Sequence, residues 1–135
     1  YRYCILNRHS PTSINYSRCW WVIEDLSLEK MIKGAKILEG THDFTSFRTK
    51  GCQSKTPIKT IDKIEIVKKL EYIDIDFTAK SFLYNQVRII VGTLRNIGNG
   101  KINESNLLNI ISRKDRSFAG PTAPSKGLTL LSIEY

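Results

Sequence analysis

The sequence predicts an α+β fold in which a mainly antiparallel sheet carries helices packed on one face. Strand-like and helix-like segments follow one another in mixed order along the chain. The segments Ile61–Lys68 and Tyr72–Lys80 are predicted to pair as a hairpin around a tight turn at Lys69–Glu71. Apolar residues of the second of these strands alternate with aspartates, so one face of the hairpin is buried and the other faces water. With 135 residues, the chain fits one domain and is long enough to bury a core.

The first third of the chain is predicted to contain two short strands separated by a loop. Residues Tyr1–Leu6 alternate well enough to form a strand. Residues Asn7–Arg18 include a proline and several Ser, Thr and Asn residues, which are typical of a loop. Cys19–Ile23 combines two tryptophans with β-branched residues, which predicts a short strand or an extended packing segment.

A first helix is predicted from Leu28 to about Glu39. Its apolar residues recur at helical spacing. Ser27 precedes it as a candidate N-cap, and Gly40 follows it in the position where many helices end.

Two further helices and a last strand are predicted in the second half of the chain. The longer helix runs from about Phe82 to Ile97, because its apolar residues fall within one wide stripe, and the Gly98–Gly100 segment ends it. A second helix is predicted from Glu104 to about Ser112, with Asn103 as its cap. The final run, 128–135, is predicted to be a strand.

The composition is that of a basic, water-soluble domain. Hydrophobic residues make up 41% of the chain, and no apolar run is long enough for a transmembrane helix. The net charge of +8 indicates a polyanionic partner, most plausibly nucleic acid, although many basic proteins bind none. We therefore expect a cytoplasmic protein that does not associate with membranes.

The cysteines and histidines predict neither a disulfide framework nor a metal site. Cys4, Cys19 and Cys52 are odd in number and irregularly spaced, so free thiols are expected. Together with His9 and His42 they form no metal-ligand pattern. No phosphate-binding or dinucleotide-binding glycine motif is present in the sequence, so no cofactor is expected.

Arg88 is the first candidate for a chemical role. It lies at the edge of the apolar stripe of the long helix, where its guanidinium would be partly shielded from water. A partly desolvated arginine favours a carboxylate or a phosphate as its partner. Periodicity alone favours the alternative, in which the arginine extends into solvent.

Two other segments have residues suited to a binding site. Tyr1 and Tyr3 would share one face of the first strand, although ordinary strand tyrosines look the same. The segment Ala119–Gly127 contains two prolines and two glycines, which make a loop that is stiff yet able to turn. A plain turn would have the same composition.

The segment His42–Thr60 combines cations with aromatic and polar side chains, which suits contact with an RNA backbone. A solvated basic loop is the alternative. We expect Asp43 to cap a short helical turn rather than to act in acid–base chemistry. A weaker phosphate-contact candidate is the cluster Arg113, Lys114 and Arg116. The predicted RNA-binding residues are Phe47, Arg48, Lys50, Gln53, Lys55 and Lys59.

Four motifs resemble the tRNA pseudouridine synthase A (TruA) family. FLYNQVRIIVG is similar to the family's FLHHMVRNIVG and keeps its arginine as Arg88, but it departs at Tyr84, Asn85, Gln86 and Ile89. DRSFAGPTAPSKGL resembles the family's proline-rich loop over fourteen residues. The HDFTSFR and GCQ pattern and the opening YRY resemble two more family motifs.

The resemblance implies isomerisation of uridine to pseudouridine in the anticodon stem-loop of tRNA, without a cofactor. It implies that Arg88 pairs with the nucleophilic aspartate and keeps it ionised. It further implies that Tyr1, with Tyr3 as its neighbour, stacks on the flipped uracil, and that Leu128, or alternatively Leu130, walls the uracil pocket. The resemblance also implies that the full-length protein is a homodimer.

The resemblance also predicts that residues 1–135 form a single C-terminal domain of such a synthase. The family's GRTDAGVHA segment, which carries the nucleophilic aspartate, is not found in the sequence. The chain alone is therefore expected to have no catalytic activity.

Two alternatives come from different functional classes. A non-catalytic RNA-binding module would bind RNA with a steep salt dependence whether or not Arg88 is present. A structural or dimerisation domain with incidental charge would bind RNA weakly and without salt dependence. Trp20 and Trp21 could belong to an interface, but the core is the better expectation for two tryptophans beside strands.

Overall fold

The computed structural model describes residues 1–10, 18–49 and 56–132. Within these ranges a mixed, mostly antiparallel sheet packs against three α-helices, which confirms the predicted α+β fold. The strands are β1 (Arg2–Asn7), β2 (Trp20–Val22), β3 (Gly40–Asp43), β4 (Ile58–Lys69), β5 (Tyr72–Ala79) and β6 (Leu128–Thr129). The helices are α1 (Leu28–Leu38), α2 (Gln86–Gly98) and α3 (Leu107–Arg113).

The sheet has β1 near its centre, with the strands in the order β2-β1-β5-β4-β3. The predicted β4–β5 hairpin is present, and β1 pairs antiparallel with β5. On its other side β1 pairs antiparallel with β6 and parallel with β2. Tyr3 therefore lies between Ile75 of β5 and Leu128 of β6. This register brings the C-terminal loop to the first strand of the chain.

One hydrophobic core lies between the helices and a single face of the sheet. Leu6 is buried too, but it lies outside this core because it alternates with Ile5 and points to the opposite face. The sheet contributes Tyr3, Ile5, Ile61, Ile64, Ile73, Ile75 and Phe77, and the helices contribute Met31, Leu38, Val87, Ile90, Val91, Leu94, Ile97, Leu107 and Ile110.

Helix α1 matches its prediction closely. The Ser27 side chain accepts a hydrogen bond from the backbone N–H of Lys30, 3.3 Å away, as an N-cap does. Gly40 has a φ of +95°, a conformation that glycine adopts without steric cost. The chain then continues directly into β3, a strand that the sequence did not predict.

Helix α2 begins four residues later than predicted. The Phe82 ring packs edge-on against Tyr1 and Phe77 instead of continuing a helical stripe. Asn85 then has a left-handed backbone conformation, with φ of +61°. A right-handed helix therefore cannot continue through Asn85 from the preceding residues. The Gln86 side chain accepts a 2.7 Å hydrogen bond from the N–H of Leu83 and closes this turn.

The last two predicted elements are shorter than expected. A 3₁₀ turn at Glu104–Asn106, capped by Asn103, precedes α3. Strand β6 comprises only Leu128 and Thr129 of the predicted 128–135 run, whose last three residues lie outside the described part.

The prediction that Cys4 and Cys19 are free thiols is wrong. The structure pairs them in a disulfide, with Cα atoms 4.8 Å apart. Ile5 is the register partner of Trp20 in the parallel β1–β2 pair. Cys4 precedes Ile5 and Cys19 precedes Trp20, so the two cysteines lie side by side. Spacing along the sequence does not reveal this parallel pairing. Cys52 lies outside the described residues.

Helix α2 and the 119–127 loop meet with their backbones in contact. A Cβ atom built on Gly92 would lie 1.7 Å from the carbonyl oxygen of Pro121. A Cβ atom on Gly120 would lie 2.7 Å from the Cα of Thr93. Glycine is therefore required on both sides of this contact. Among the described residues, no helix has the length and apolar character needed to cross a membrane.

The Gly92 contact predicts a large difference between two glycine-to-alanine substitutions. We expect Gly92→Ala to lower the free energy of unfolding by about 1–3 kcal/mol or more, because backbone must move. Gly34→Ala is the matched control in α1, where the new Cβ would lie 3.1 Å from the flexible tip of Ile97. Both variants gain the same helix propensity. Urea unfolding curves test this, and equal stabilities would contradict the tight contact.

Candidate active site around Arg88

The Arg88 guanidinium is held at one side and left open at the other. Its Nε donates to the carbonyl oxygen of Ala123 at 2.7 Å, and one Nη donates to the Asn85 Oδ1 at 3.2 Å. The N–H of Ala123 donates in turn to the carbonyl oxygen of Arg88 at 3.0 Å. Within the described ranges no carboxylate forms an ion pair with Arg88. The remaining Nη is therefore available to an anion.

The loop that holds Arg88 is itself fixed by side chains. Thr93 Oγ1 accepts a 2.9 Å hydrogen bond from the N–H of Gly120, and both groups are buried. Arg116 donates to the Gly120 carbonyl oxygen at 2.7 Å and to the Thr122 hydroxyl at 3.1 Å. Arg116 thus braces the loop from within, and its predicted phosphate contact stays a prediction.

Tyr3 connects the sheet to the same loop. Its hydroxyl donates to the carbonyl oxygen of Pro124 at 2.5 Å, and its ring leaves no space for a side chain at Gly127. Burial raises the pKa of Tyr3 well above its ordinary value, although the nearby positive charge of Arg88 opposes that rise. The phenol therefore stays protonated and acts as a donor.

Tyr1 and Leu128 are half-buried at the edge of this arrangement. The Tyr1 ring lies 5.6 Å from the ring of Phe82, edge to face. Leu128 is the register partner of Tyr3 and packs against the core. Leu130, the alternative, is about half exposed. The structure thus brings β1, β6 and the Arg88 loop together, and the roles of Tyr1 and Leu128 stay predictions.

Phe47 does not fit its predicted role in RNA binding. Its side chain is completely inaccessible and packs edge-on against Phe44, with ring centroids 6.1 Å apart. A ring in that position cannot stack on a base. Phe47 ends a 3₁₀ turn at Thr45–Phe47, and the helical spacing within this turn directs it into the core.

The residues that precede Arg48 are held in place by Asp43 and Ser46. Asp43 Oδ1 accepts hydrogen bonds from the N–H and hydroxyl of Thr45, the first residue of the turn, but Phe44 occupies the N-cap position that was predicted for Asp43. The buried Ser46 hydroxyl donates to the carbonyl oxygen of Ile110 and accepts from the N–H of Asp115. The turn before Arg48 is therefore anchored to α3 and to the segment after it.

Of the other predicted RNA-binding residues, the structure describes Arg48 and Lys59. Both are half-buried. Lys59 Nζ donates to the Ser81 hydroxyl at 3.1 Å and, with Lys80, lines a pocket of about 360 Å³ that does not include Arg88. Lys50, Gln53 and Lys55 lie outside the described residues. No cluster of three metal-ligating side chains occurs in the described ranges.

Asn85 is a site residue that the sequence did not reveal. It accepts a hydrogen bond from Arg88, whereas the sequence showed it only as one of the positions that differ from the family motif. An asparagine three residues before the arginine is compatible with a cap, a turn or a solvent-exposed helix position. The left-handed conformation that turns its side chain towards Arg88 is visible only in the structure.

Comparison with known proteins identifies the family. A family model described as tRNA pseudouridine synthase matches residues 35–135, which include Arg88 and the whole loop that holds it. The chain belongs to the tRNA pseudouridine synthase family. The matched range also includes β3, β4, β5 and β6, so most of the sheet lies within it.

Curated members of this family align with the entire chain. Proteins named tRNA pseudouridine synthase A are 47% identical in Ehrlichia canis, 46% in Anaplasma phagocytophilum and 41% in Brucella anthropi. Each alignment covers 100% of this chain and 54–55% of the relative. The chain therefore spans about half the length of the curated relatives it matches.

The electrostatic surroundings of Asp43 predict a pH-dependent contribution to stability. Burial by itself raises the pKa of Asp43, but the hydrogen bonds from Thr45 and two nearby positive charges together outweigh burial and bring that pKa below the ordinary value. The positive charges of Lys114 and Arg48 act in the same direction. Because the folded pKa is depressed, the stabilisation is full above the unfolded pKa and is lost as pH falls through the folded pKa.

We expect Asp43→Asn, which keeps the Oδ1 acceptor, to lower the free energy of unfolding at pH 7 by less than about 1 kcal/mol. The difference from the unsubstituted protein should disappear in strongly acidic solution. Asp25→Asn, at a carboxylate that is 93% exposed, controls for the change in net charge. Urea unfolding between pH 7 and pH 2.5 measures both variants, and a difference that grows towards acid would contradict the sign of the pKa shift.

Proposed function

We propose that this chain is the C-terminal domain of a tRNA pseudouridine synthase, and that Arg88 orients the nucleophilic aspartate of the full-length protein. The observation that supports the proposal most directly is the arginine held on one side and open on the other. An arginine beside a carboxylate keeps it ionised and fixes its direction, as a nucleophile requires. One Nη of Arg88 has no hydrogen-bond partner among the described residues and can donate to that carboxylate.

In the proposed reaction the aspartate attacks and the C–N glycosidic bond of uridine breaks, so that the uracil can turn. A C–C bond to the ribose then forms, the bond to the aspartate is broken, and the proton lost from that uracil carbon is balanced by protonation of the freed ring nitrogen. The product is an isomer of the substrate, so no oxidant, reductant or cofactor is required. Tyr1 would stack on the uracil after it leaves the RNA helix, and Leu128 would form one wall of its pocket. Stacking on an aromatic ring replaces the stacking lost when a base is flipped out.

The RNA-binding surface in this proposal includes Arg48 and Lys59, with Lys50, Gln53 and Lys55 as further contacts. The net charge of +8 and the two lysines at the Lys59 pocket favour a phosphate backbone as the partner. Assembly of the full-length protein as a homodimer in the cytoplasm follows from the family resemblance and is part of the proposal. The substrate that the relatives' shared name states is tRNA.

Substitution of Arg88 in the full-length protein tests its role. We expect Arg88→Ala to lower the single-turnover rate of pseudouridine formation by at least about 10²-fold, with tRNA affinity nearly unchanged. Arg88→Lys should lose most of the rate as well, because an ammonium does not reproduce the planar fork. Arg18→Ala is the matched control, since Arg18 is exposed and has no role in the proposed site.

Either of two results would contradict the proposal. Full turnover in Arg88→Ala would remove Arg88 from the chemistry. A loss of tRNA affinity equal to the loss of rate would mean that Arg88 contacts a phosphate of the tRNA and does not orient the nucleophile. Repeating the binding measurement at several salt concentrations separates these cases, because loss of one phosphate contact reduces the salt dependence.

The chain as given is expected to bind RNA but to form no pseudouridine. The described residues place no carboxylate on Arg88, and the sequence contains no GRTDAG-like segment. A single-turnover assay with this chain alone and a stoichiometric amount of tRNA makes the test. Product above the background of an Arg88→Ala chain would mean that an aspartate of this chain is the nucleophile.

A further inference from the structure

Asn85 has a backbone conformation that few residues adopt, at the point where helix α2 begins. Its φ and ψ are +61° and +9°, in the left-handed region. Asparagine enters this region more easily than most residues other than glycine. Although it occupies the N-cap position, its side chain makes no capping hydrogen bond. The side chain is therefore used for something other than helix capping.

Both polar atoms of the Asn85 amide are used. Its Oδ1 accepts from an Arg88 Nη at 3.2 Å, and its Nδ2 donates to the Thr49 hydroxyl oxygen at 2.9 Å. An arginine can only donate, so the atom that faces it must be the carbonyl oxygen, and this fixes the orientation of the amide. The N–H of Thr49 donates to the carbonyl oxygen of Tyr84 at 3.4 Å. Asn85 thus joins Arg88 to the end of the Arg48–Thr49 segment.

Two anchors determine the plane of the Arg88 guanidinium. The Ala123 carbonyl oxygen holds Nε, and the Asn85 oxygen holds one Nη. With a single anchor, the group could rotate about the remaining hydrogen bond. With both, the plane is fixed and the open Nη points in one direction. A hydrogen bond to a charged group is stronger than one between neutral groups, so loss of the second anchor should have a measurable effect.

We propose that Asn85 is a positioning residue that fixes the Arg88 guanidinium for the incoming aspartate and couples it, through Thr49, to the segment that begins the RNA-binding surface. The inference rests on the function proposed for Arg88. The departure from the family motif at Asn85 is then a working part of this site. A change in RNA contacts near Arg48 would be transmitted to Arg88 through the Thr49 hydroxyl and the Asn85 amide.

Four variants of the full-length protein test this inference. Asn85→Gly keeps the left-handed backbone and removes both hydrogen bonds. Asn85→Asp keeps an acceptor but places a carboxylate on Arg88 that competes with the nucleophile. Thr49→Val removes only the hydroxyl. Leu70→Gly is the matched control, because Leu70 also has a left-handed φ of +57° and is 90% exposed in the β4–β5 turn.

We expect Asn85→Gly to lower the single-turnover rate of pseudouridine formation about 10- to 100-fold, with the tRNA Kd changed less than about threefold. The acid limb of the pH–rate profile should shift to higher pH, since a loosely held Arg88 depresses the pKa of the aspartate less. Asn85→Asp should be slower still. Thr49→Val should show a smaller loss, and Leu70→Gly none.

The outcomes distinguish this inference from the proposed function. If Arg88→Ala is inactive and Asn85→Gly reacts at the unsubstituted rate, the positioning role of Asn85 is wrong and the role of Arg88 stands. If Asn85→Gly is slow but its acid limb does not move and its melting temperature falls, Asn85 serves only the start of α2, which also overturns the inference. If Arg88→Ala is fully active, both proposals fail.

Discussion

The backbone contact between helix α2 and the 119–127 loop is the constraint on which the rest of the site depends. At Gly92 the loop approaches so closely that the Pro121 carbonyl oxygen occupies the space of a side chain. One turn earlier on the same helix, Arg88 and Ala123 exchange two hydrogen bonds, one of them through the guanidinium. A bulkier residue at Gly92 would push the loop away from the helix and remove the Nε anchor of the arginine. The close contact at Gly92 is therefore also needed to hold the positively charged Arg88 guanidinium in place.

The sheet and the loop determine each other's position through Tyr3. This residue lies in the strand next to the centre of the sheet, and its hydroxyl holds the carbonyl oxygen of Pro124. Its ring excludes any side chain at Gly127, so the chain can pass directly into β6 beside it. Because burial keeps the phenol protonated, this link does not depend on pH near neutrality. Tyr1 is half-buried and lies two residues earlier on the same strand face. The fixed position of Tyr3 therefore also restricts the position of Tyr1.

Periodicity predicted the fold well, because helices and the hairpin depend on patterns within one segment. The alternation in β5 and the capped α1 are local, and both were found as expected. The predictions were wrong where the position of a residue depends on contacts with other parts of the chain. Phe47 lies in a basic, polar segment, yet a short 3₁₀ turn directs it into the core. Cys4 pairs with Cys19 because of a parallel strand register that no local pattern encodes. Arg88 was singled out by the family motif that carries it, because periodicity alone favoured an arginine in solvent. Its anchors came from a distant loop and from the left-handed Asn85, which neither the motif nor the periodicity reveals.

An arginine that serves a carboxylate from elsewhere in the protein has to be oriented before that carboxylate arrives. If Arg88 were free to rotate, the closing of the site would have to order a long side chain at the moment of reaction, at a cost of about 0.5–1.5 kcal/mol. Held at Nε and at one Nη, the guanidinium loses that freedom when the domain folds, and the order is stabilised by core packing around α2. The second Nη, which has no partner among the described residues, is then the donor left for that carboxylate. A carboxylate meeting it would find the direction of its hydrogen bonds already set, which is the condition under which an ion pair can orient a nucleophile as well as keep it ionised.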